Sequence, residues 1–180
     1  MSRLVAVLAL TACTLFAQAS APRTPFADFE ERVGAYMKIH KAAESDMGKL
    51  SPTSSAQQLD AKKTSLAEGI RAQRSGAAQG DIFTAPIAAE FRRLIAMDLK
   101  HRPTRIKESI RSGELVSAKV HVNGSYPEGV PLETMPPTLL ASFPKLPPEL
   151  DYRFIGSTLV LRDVSANIII DLMPYAIAAK

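Results

Sequence analysis

The stretch that decides the fold is YRFIGSTLVLRDVSANIIIDLM, residues 152–173. Tyr152–Ile155, Thr158–Arg162 and Asn167–Met173 are short runs rich in β-branched, aromatic and aliphatic residues, as strands require. Gly156-Ser157 separates the first two runs as a two-residue hairpin turn, and Asp163 to Ala166 separates the next two. Connections this short leave no room for a crossover, so the strands pair antiparallel as a β-meander. Ile168-Ile169-Ile170 is apolar on both faces, which predicts a central strand covered by helices on one side.

Upstream, the grammar changes. Residues 25–113 read as helical, and residues 114–180 as strand and loop. Pro25 opens a helix to about Met47, with Phe26, Phe29, Val33, Tyr36, Met37 and Ala43 on one stripe. Asp28, Glu30 and Glu31 lie early in it; Lys38, His40 and Lys41 lie late, as the helix dipole favours. A softer helix over about 54–74 has sparse apolar positions (Leu59, Leu66, Ile70) and reads as a surface helix. The third is the clearest: Thr84 as cap, then Ile87, Phe91, Leu94, Ile95 and Leu99, with Pro103 ending it near His101. A short helix over 103–112 follows. Leu115–Val122 alternates as a half-buried strand, Asn123-Gly124 marks a tight turn, and Pro136-Pro137 starts a short helix through Ser142 that Pro144 stops. The expected architecture is α+β: an N-terminal helical hairpin or bundle packed on a C-terminal antiparallel β-meander, with 20–113 and 114–180 forming one globular domain.

Residues 1–19 read as an export signal. Arg3 precedes the apolar run Leu4–Leu10, which Thr11–Phe16 extends, and Ala17-Gln18-Ala19 offers the small residues a signal peptidase needs for cleavage between Ala19 and Ser20. About 13 residues of helix fall short of a ~30 Å bilayer core. A rival reading takes Leu10-Thr11-Ala12-Cys13 as a lipobox, with Cys13 lipidated and the protein anchored. Cleavage after Ala19 removes Cys13, the only cysteine, and leaves no transmembrane span. Disulfides and thiolate chemistry are then excluded, and an ordinary core must hold the remaining chain. The expected location is the periplasm or the medium.

Catalytic motifs are absent: there is no Gly-rich phosphate loop, HExxH, GxSxG or EF-hand loop. The three histidines, His40, His101 and His121, fall on different elements. Asp98 and His101 share a helix face but lack a second ligand pair. Ser142-Phe143-Pro144-Lys145 matches S-x-x-K, but Pro144 denies the Ser and Lys the helical turn that the acylating motif needs. No cofactor is implied.

Two features suggest binding. Residues 84–113 carry Arg92, Arg93, Lys100, Arg102, Arg105, Lys107 and Arg111 against Glu90, Asp98 and Glu108, a net +4 in a chain whose whole net charge is +4. Arg92, Arg93, Arg105 and Arg111 are the candidates for meeting an anionic envelope surface or an acidic partner. The bland reading is a solvated face with pairs such as Asp98 with Arg102. Nucleic acid is not expected, because no stacking aromatics accompany the charges. The second feature is the proline-rich loop after Asn123: seven of the 13 prolines lie between Pro127 and Pro148. Long ordered loops often carry function, and Tyr126, Glu128, Met135 and Arg153 are the residues to test there. The bland reading is that Tyr126 and Met135 plug the sheet edge. Asn123-Gly124-Ser125 also fits a glycosylation acceptor, though a turn explains it with less.

Residues 122–177 resemble a family of exported bacterial proteins of uncharacterised function. The likeness rests on NGSYPEGVPLETMPPTLL, FPKLPPELDYRFIGSTLVLRD and ANIIIDLMPYAI, about a third of the chain. It implies a shared C-terminal β-unit and export, and carries over no active-site residue. The functional expectation is a non-enzymatic binding or assembly accessory of the cell envelope. The rival is a small periplasmic hydrolase whose site assembles only in three dimensions.

Overall fold

The computed structural model describes residues 24–47, 55–100, 120–127 and 135–177. The expected leader, the helix over 103–112, most of the strand over 115–122, His101, Arg105, Arg111 and Glu128 lie outside these residues.

Helix α1 spans Pro25–Asp46. Thr24 caps it by accepting the Ala27 amide at 3.3 Å, and Pro25 follows at the first helical position, where a missing N–H costs nothing. Helix α2 spans Ala56–Gln73. Its first half is exposed, including Leu59, while Leu66, Ala67 and Ile70 are buried, so it is only half a surface helix. Gly69 lets α2 approach α1 closely: a Cβ there would stand 3.2 Å from that of Ala43. Helix α3 spans Ala85–Lys100, with Ile87, Phe91, Ile95 and Leu99 buried as the periodicity predicts. Thr84 does not cap it as expected. Its carbonyl accepts the Ala88 amide, but its Oγ1 is buried without a hydrogen-bond partner. Helix α4 is the short Pro137–Ser142 turn after the double proline.

The sheet is an antiparallel meander in the order β1-β2-β3, formed by Leu150–Ile155, Thr158–Asp163 and Ile168–Met173. Gly156 takes a positive φ of 56° in the two-residue turn, as the first position of a type II′ hairpin requires. The central strand is β2. The expectation that the isoleucine strand is central is therefore corrected: β3 is buried along its whole length because residues 123–126 lie along its outer side. The Asn123 amide donates to the Ile169 carbonyl, Ile169 donates to Gly124, and Tyr126 donates to Asn167. The turn here falls one residue earlier than expected. Gly124 donates back to His121, with Asn123 at φ 63°, so Val122 and Asn123 are its central pair and 120–122 is not strand.

Helices and sheet share one apolar core. At its centre, Phe91 meets Phe26, Phe29, Phe83, Phe143 and Tyr152 with ring centroids 4.7–5.8 Å apart. A smaller apolar set, Tyr126, Ile155, Val160, Ile169 and Leu172, occupies the opposite face of the sheet.

A register shift in β3 positions the polar groups described next. Leu161 faces Asp171 and Arg162 faces Ile169, so Ile170 is an extra, bulged residue. Alternation counted from Ile168 would turn Asp171 away from the helices. The bulge returns it to the core face and frees the Ile170 carbonyl, which Arg74 takes at 3.0 Å.

Candidate functional site

Two polar clusters are buried where α1 and the loop before α3 meet the sheet. In the first, the Tyr36 hydroxyl donates to Asp163 Oδ2 at 2.6 Å, and His40 Nδ1 meets the same oxygen at 2.6 Å. Asp163 Oδ1 accepts the Ala166 amide, which shapes the β2–β3 loop. Burial pushes the Asp163 carboxyl up, but the bonds from His40, Tyr36 and the Ala166 amide outweigh it and hold the group below its ordinary range. The hydrogen bond to Asp163 raises His40 against the opposing effect of burial. Burial, then the Asp163 charge, push the Tyr36 phenol far above its usual value, so it stays a donor. Arg74 lies 5.2 Å over the Tyr36 ring and is lowered by burial.

In the second cluster, Asp171 accepts four backbone amides. Gly80 and Leu172 donate to Oδ1, and Ile82 and Phe83 donate to Oδ2, at 2.7–2.9 Å. Arg74 spans the two clusters. Beyond the Ile170 carbonyl it donates to Asn123 Oδ1, and Asn123 returns its amide to the Arg74 carbonyl.

The first cluster has the parts of an acid–base pair, but His40 is 2% exposed and Asp163 fully buried. None of Tyr36, His40 and Asp163 lines either of the two clefts below. The cluster ties α1 to the end of β2. This gives a pH prediction. With its folded value raised, His40 contributes fully below its ordinary value of 6.5, and that stability is lost as pH rises through the raised value. With its folded value lowered, Asp163 contributes above its ordinary value of 3.8 and loses that contribution as pH falls through the lowered one. The urea midpoint should be highest in mildly acidic buffer and fall as the pH rises above 6.5 and through the raised His40 value. His40→Asn should abolish that alkaline slope; an equal slope in both proteins would refute the assignment.

Two clefts lined by the described residues are open to solvent. The first, about 460 Å³, runs beside β1 and is walled by Met135, Leu140, Pro144 and Leu146 against Leu150–Arg153. Tyr152 anchors the facing wall: its hydroxyl donates to the Pro144 carbonyl, and its ring meets Phe143 edge-on. Lys145 and the Arg153–Asp151 pair (2.7 Å) supply its charges. The second cleft, about 580 Å³, lies between α2 and the β2–β3 loop and is polar.

No known protein family, curated protein or solved structure matches this chain.

The described members of the sequence-predicted binding set fall on separate elements, Arg92 and Arg93 on α3, Tyr126 in the segment beside β3 and Arg153 on β1, and Arg105 and Arg111 fall outside the described residues. Arg92 donates to the Pro174 and Tyr175 carbonyls and holds the chain after β3, where Tyr175 takes a φ of 53°. Arg93 is exposed and doubly bonded to Glu90 one turn away. Asp98 accepts the Thr138 hydroxyl at 2.7 Å; Arg102, its expected partner, lies outside the described residues. Ser142 donates to the Leu139 carbonyl at the end of α4. Met135 is buried in the main core, and Tyr126 is buried on the sheet's other face beneath Arg162, whose guanidinium is 4.5 Å from the ring centroid. Arg153 and Met135 among the predicted site residues line the apolar groove, and Tyr126 lines the polar cleft. Among the described residues no three His, Cys, Asp or Glu side chains could hold a metal ion, and no helix is long and apolar enough to cross a membrane.

The sequence reading missed Tyr36, His40, Arg74, Asp163 and Asp171. One signal was available for His40. It falls three and four residues after Met37 and Tyr36 and three before Ala43, on the buried stripe rather than among the solvated charges.

Proposed function

We propose that the chain is an exported, non-enzymatic binding accessory of the bacterial cell envelope that takes up an extended apolar peptide segment of a partner protein along β1. The observation that carries this reading is the apolar groove beside Leu150–Arg153. Among the described strands nothing pairs with the outer edge of β1. The two-residue turn closes on a hydrogen-bonded Ile155–Thr158 pair, so Arg153 and Asp151 direct their main-chain groups to β2. Tyr152 and Phe154 direct theirs outward, along the groove. An added strand would bond to them and place alternate side chains against Leu140 and Leu146. Against the hydrolase alternative stands the placement of Tyr36, His40 and Asp163: they converge in the core, apart from the groove, whose wall is mainly apolar.

Export is supported by Arg3, the apolar run that follows it and Ala17-Gln18-Ala19. Protein recovered from the envelope fraction should begin at Ser20; recovery with Met1 intact from the cytosol would reject export. Binding is tested by selecting a displayed library of random linear peptides against the protein. Enriched peptides should alternate apolar residues. Leu140→Glu, at a groove position 49% exposed and thus harmless to the fold, should weaken them about tenfold or more by setting a charge against the apolar wall. Equal binding by Leu140→Glu, or no enrichment, would refute the groove.

A further inference from the structure

We propose that the polar cleft between α2 and the β2–β3 loop is a second binding site, one that takes a phosphate ester. Four hydrogen-bonding side chains face each other there from separate parts of the chain: Lys63 and Arg71 from α2, Ser125 from the segment beside β3, and Asn167 from the loop.

Their internal bonds settle what each has left to offer. Arg71 donates through Nε to the Asn123 carbonyl at 2.8 Å and through Nη2 to Ser125 Oγ at 3.1 Å. Both bonds hold the guanidinium in place, and neither uses Nη1. Ser125, an acceptor from Arg71, keeps its own proton to donate. Arg162 fixes the Asn167 amide by donating to its Oδ1 at 2.7 Å, which turns the Asn167 N–H groups the other way, one of them 3.5 Å from the Tyr126 carbonyl. Thr64 spends its proton on the Asp60 carbonyl. Asp60 itself is an exposed carboxylate 3.8 Å from the exposed Lys63 ammonium, a weak pair. What remains is a guanidinium nitrogen, a hydroxyl proton, an amide N–H and an ammonium, with a net lining charge of +1.

A second observation points the same way. Tyr126 lines the cleft and is 4% exposed, yet its hydroxyl has no hydrogen-bond partner; nor has Nε of Arg162, the residue that holds Asn167. Leaving such groups unmet costs about 1–3 kcal/mol each. Asp151 Oδ1 beside Arg162 is unmet as well, so this side of the sheet holds two unmet donors against one unmet acceptor.

The complement of a donor-rich, positively charged cleft is an acceptor-rich anion. A tetrahedral phosphoryl group presents three outer oxygens and can accept from α2 and from Ser125 and Asn167 at once, whereas a planar carboxylate offers two. The cleft's 580 Å³ is far larger than the ~30 Å³ share of one water, so an organic portion fits beside the phosphoryl group. The same chemistry is found in a soluble phosphate ester and in a phospholipid head group.

The test uses the full chain and backbone amide spectra at constant ionic strength. One arm titrates glycerol phosphate, a second adds vesicles of anionic phospholipid, and a third adds sodium chloride alone. Saturable shifts at Ser125, Tyr126 and Asn167 with glycerol phosphate identify a soluble ester as a ligand. The same shifts with vesicles only identify a head group. Lys63→Gln, at an exposed position that leaves the fold intact, should weaken either response about tenfold. Arg71→Lys keeps the charge but loses the fork, and should weaken it further while the far-ultraviolet spectrum stays unchanged. No saturable shift in either ligand arm, an equal response to chloride, or unaltered binding by Lys63→Gln would overturn the proposal.

Discussion

Asp171→Ala should unfold the protein or lower its stability by about 3–5 kcal/mol. The carboxylate is fully buried and is the acceptor for the amides of Gly80, Ile82, Phe83 and Leu172. Three of those donors belong to the turn that leads into α3, so the side chain fastens that turn to β3. Each buried amide left without an acceptor costs about 1–3 kcal/mol, and water entering the vacated space recovers only part of the sum. Asp171→Asn is the sharper variant. It preserves the shape but turns one acceptor oxygen into a donor, setting two N–H groups against an NH2. It should cost nearly as much as alanine. Urea denaturation followed by circular dichroism measures both, and a loss below about 1 kcal/mol for either would show that the turn is held by other means.

Phe91→Ala should cost about 3–5 kcal/mol, the range for a large aromatic deleted from a closed core. Phe91 is fully buried, and its ring contacts five other aromatic rings from α1, the pre-α3 turn, the segment after α4 and β1. Those neighbours come from four separate elements, so collapse into the space would require all of them to shift, and the cavity should persist. For a chain of 180 residues this corresponds to a fall in melting temperature of about 10 °C. Phe26→Ala serves as the comparison. Phe26 is only half-buried and meets Phe91 alone among these rings, so its loss should be clearly smaller. Equal losses would mean that Phe91 is not the centre of the core.

Both side chains show where sequence was legible and where it was not. Phe91 lay on a three- and four-residue stripe with Ile87, Ile95 and Leu99, and periodicity of that kind reports which face of a helix is covered. The meander was legible for a similar reason, since Gly156-Ser157 and Asp163–Ala166 are too short for anything but antiparallel pairing. Asp171 was not legible. Alternation from Ile168 turns it out and alternation from Met173 turns it in; the bulge at Ile170 decides, and no local signal fixed its position. Strand order was misread because an apolar run on both faces reports covering without saying what covers. Here the cover is the segment 123–126 on one side. The candidate sites suffered most. His40 and Asp163 are 123 residues apart, and nothing short of the fold brings them together. The apolar groove likewise draws Met135, Leu140 and Leu146 beside β1, and nothing in the sequence placed the three on one wall. Of the charge run, Arg92 bonds to carbonyls and Arg93 to Glu90, while Arg102, Arg105, Lys107 and Arg111 lie outside the described residues.

The most direct test of a peptide-binding edge on β1 is amide hydrogen exchange at single-residue resolution, with and without a peptide taken from the display selection. In the free protein Asp151 and Arg153, which face β2, should exchange slowly, and Tyr152 and Phe154, which face the groove, should exchange fast. Peptide should slow Tyr152 and Phe154 selectively. Bound peptide that leaves both amides unchanged, or amides at Tyr152 and Phe154 already as protected as that of Arg153 in the free protein, would contradict the account.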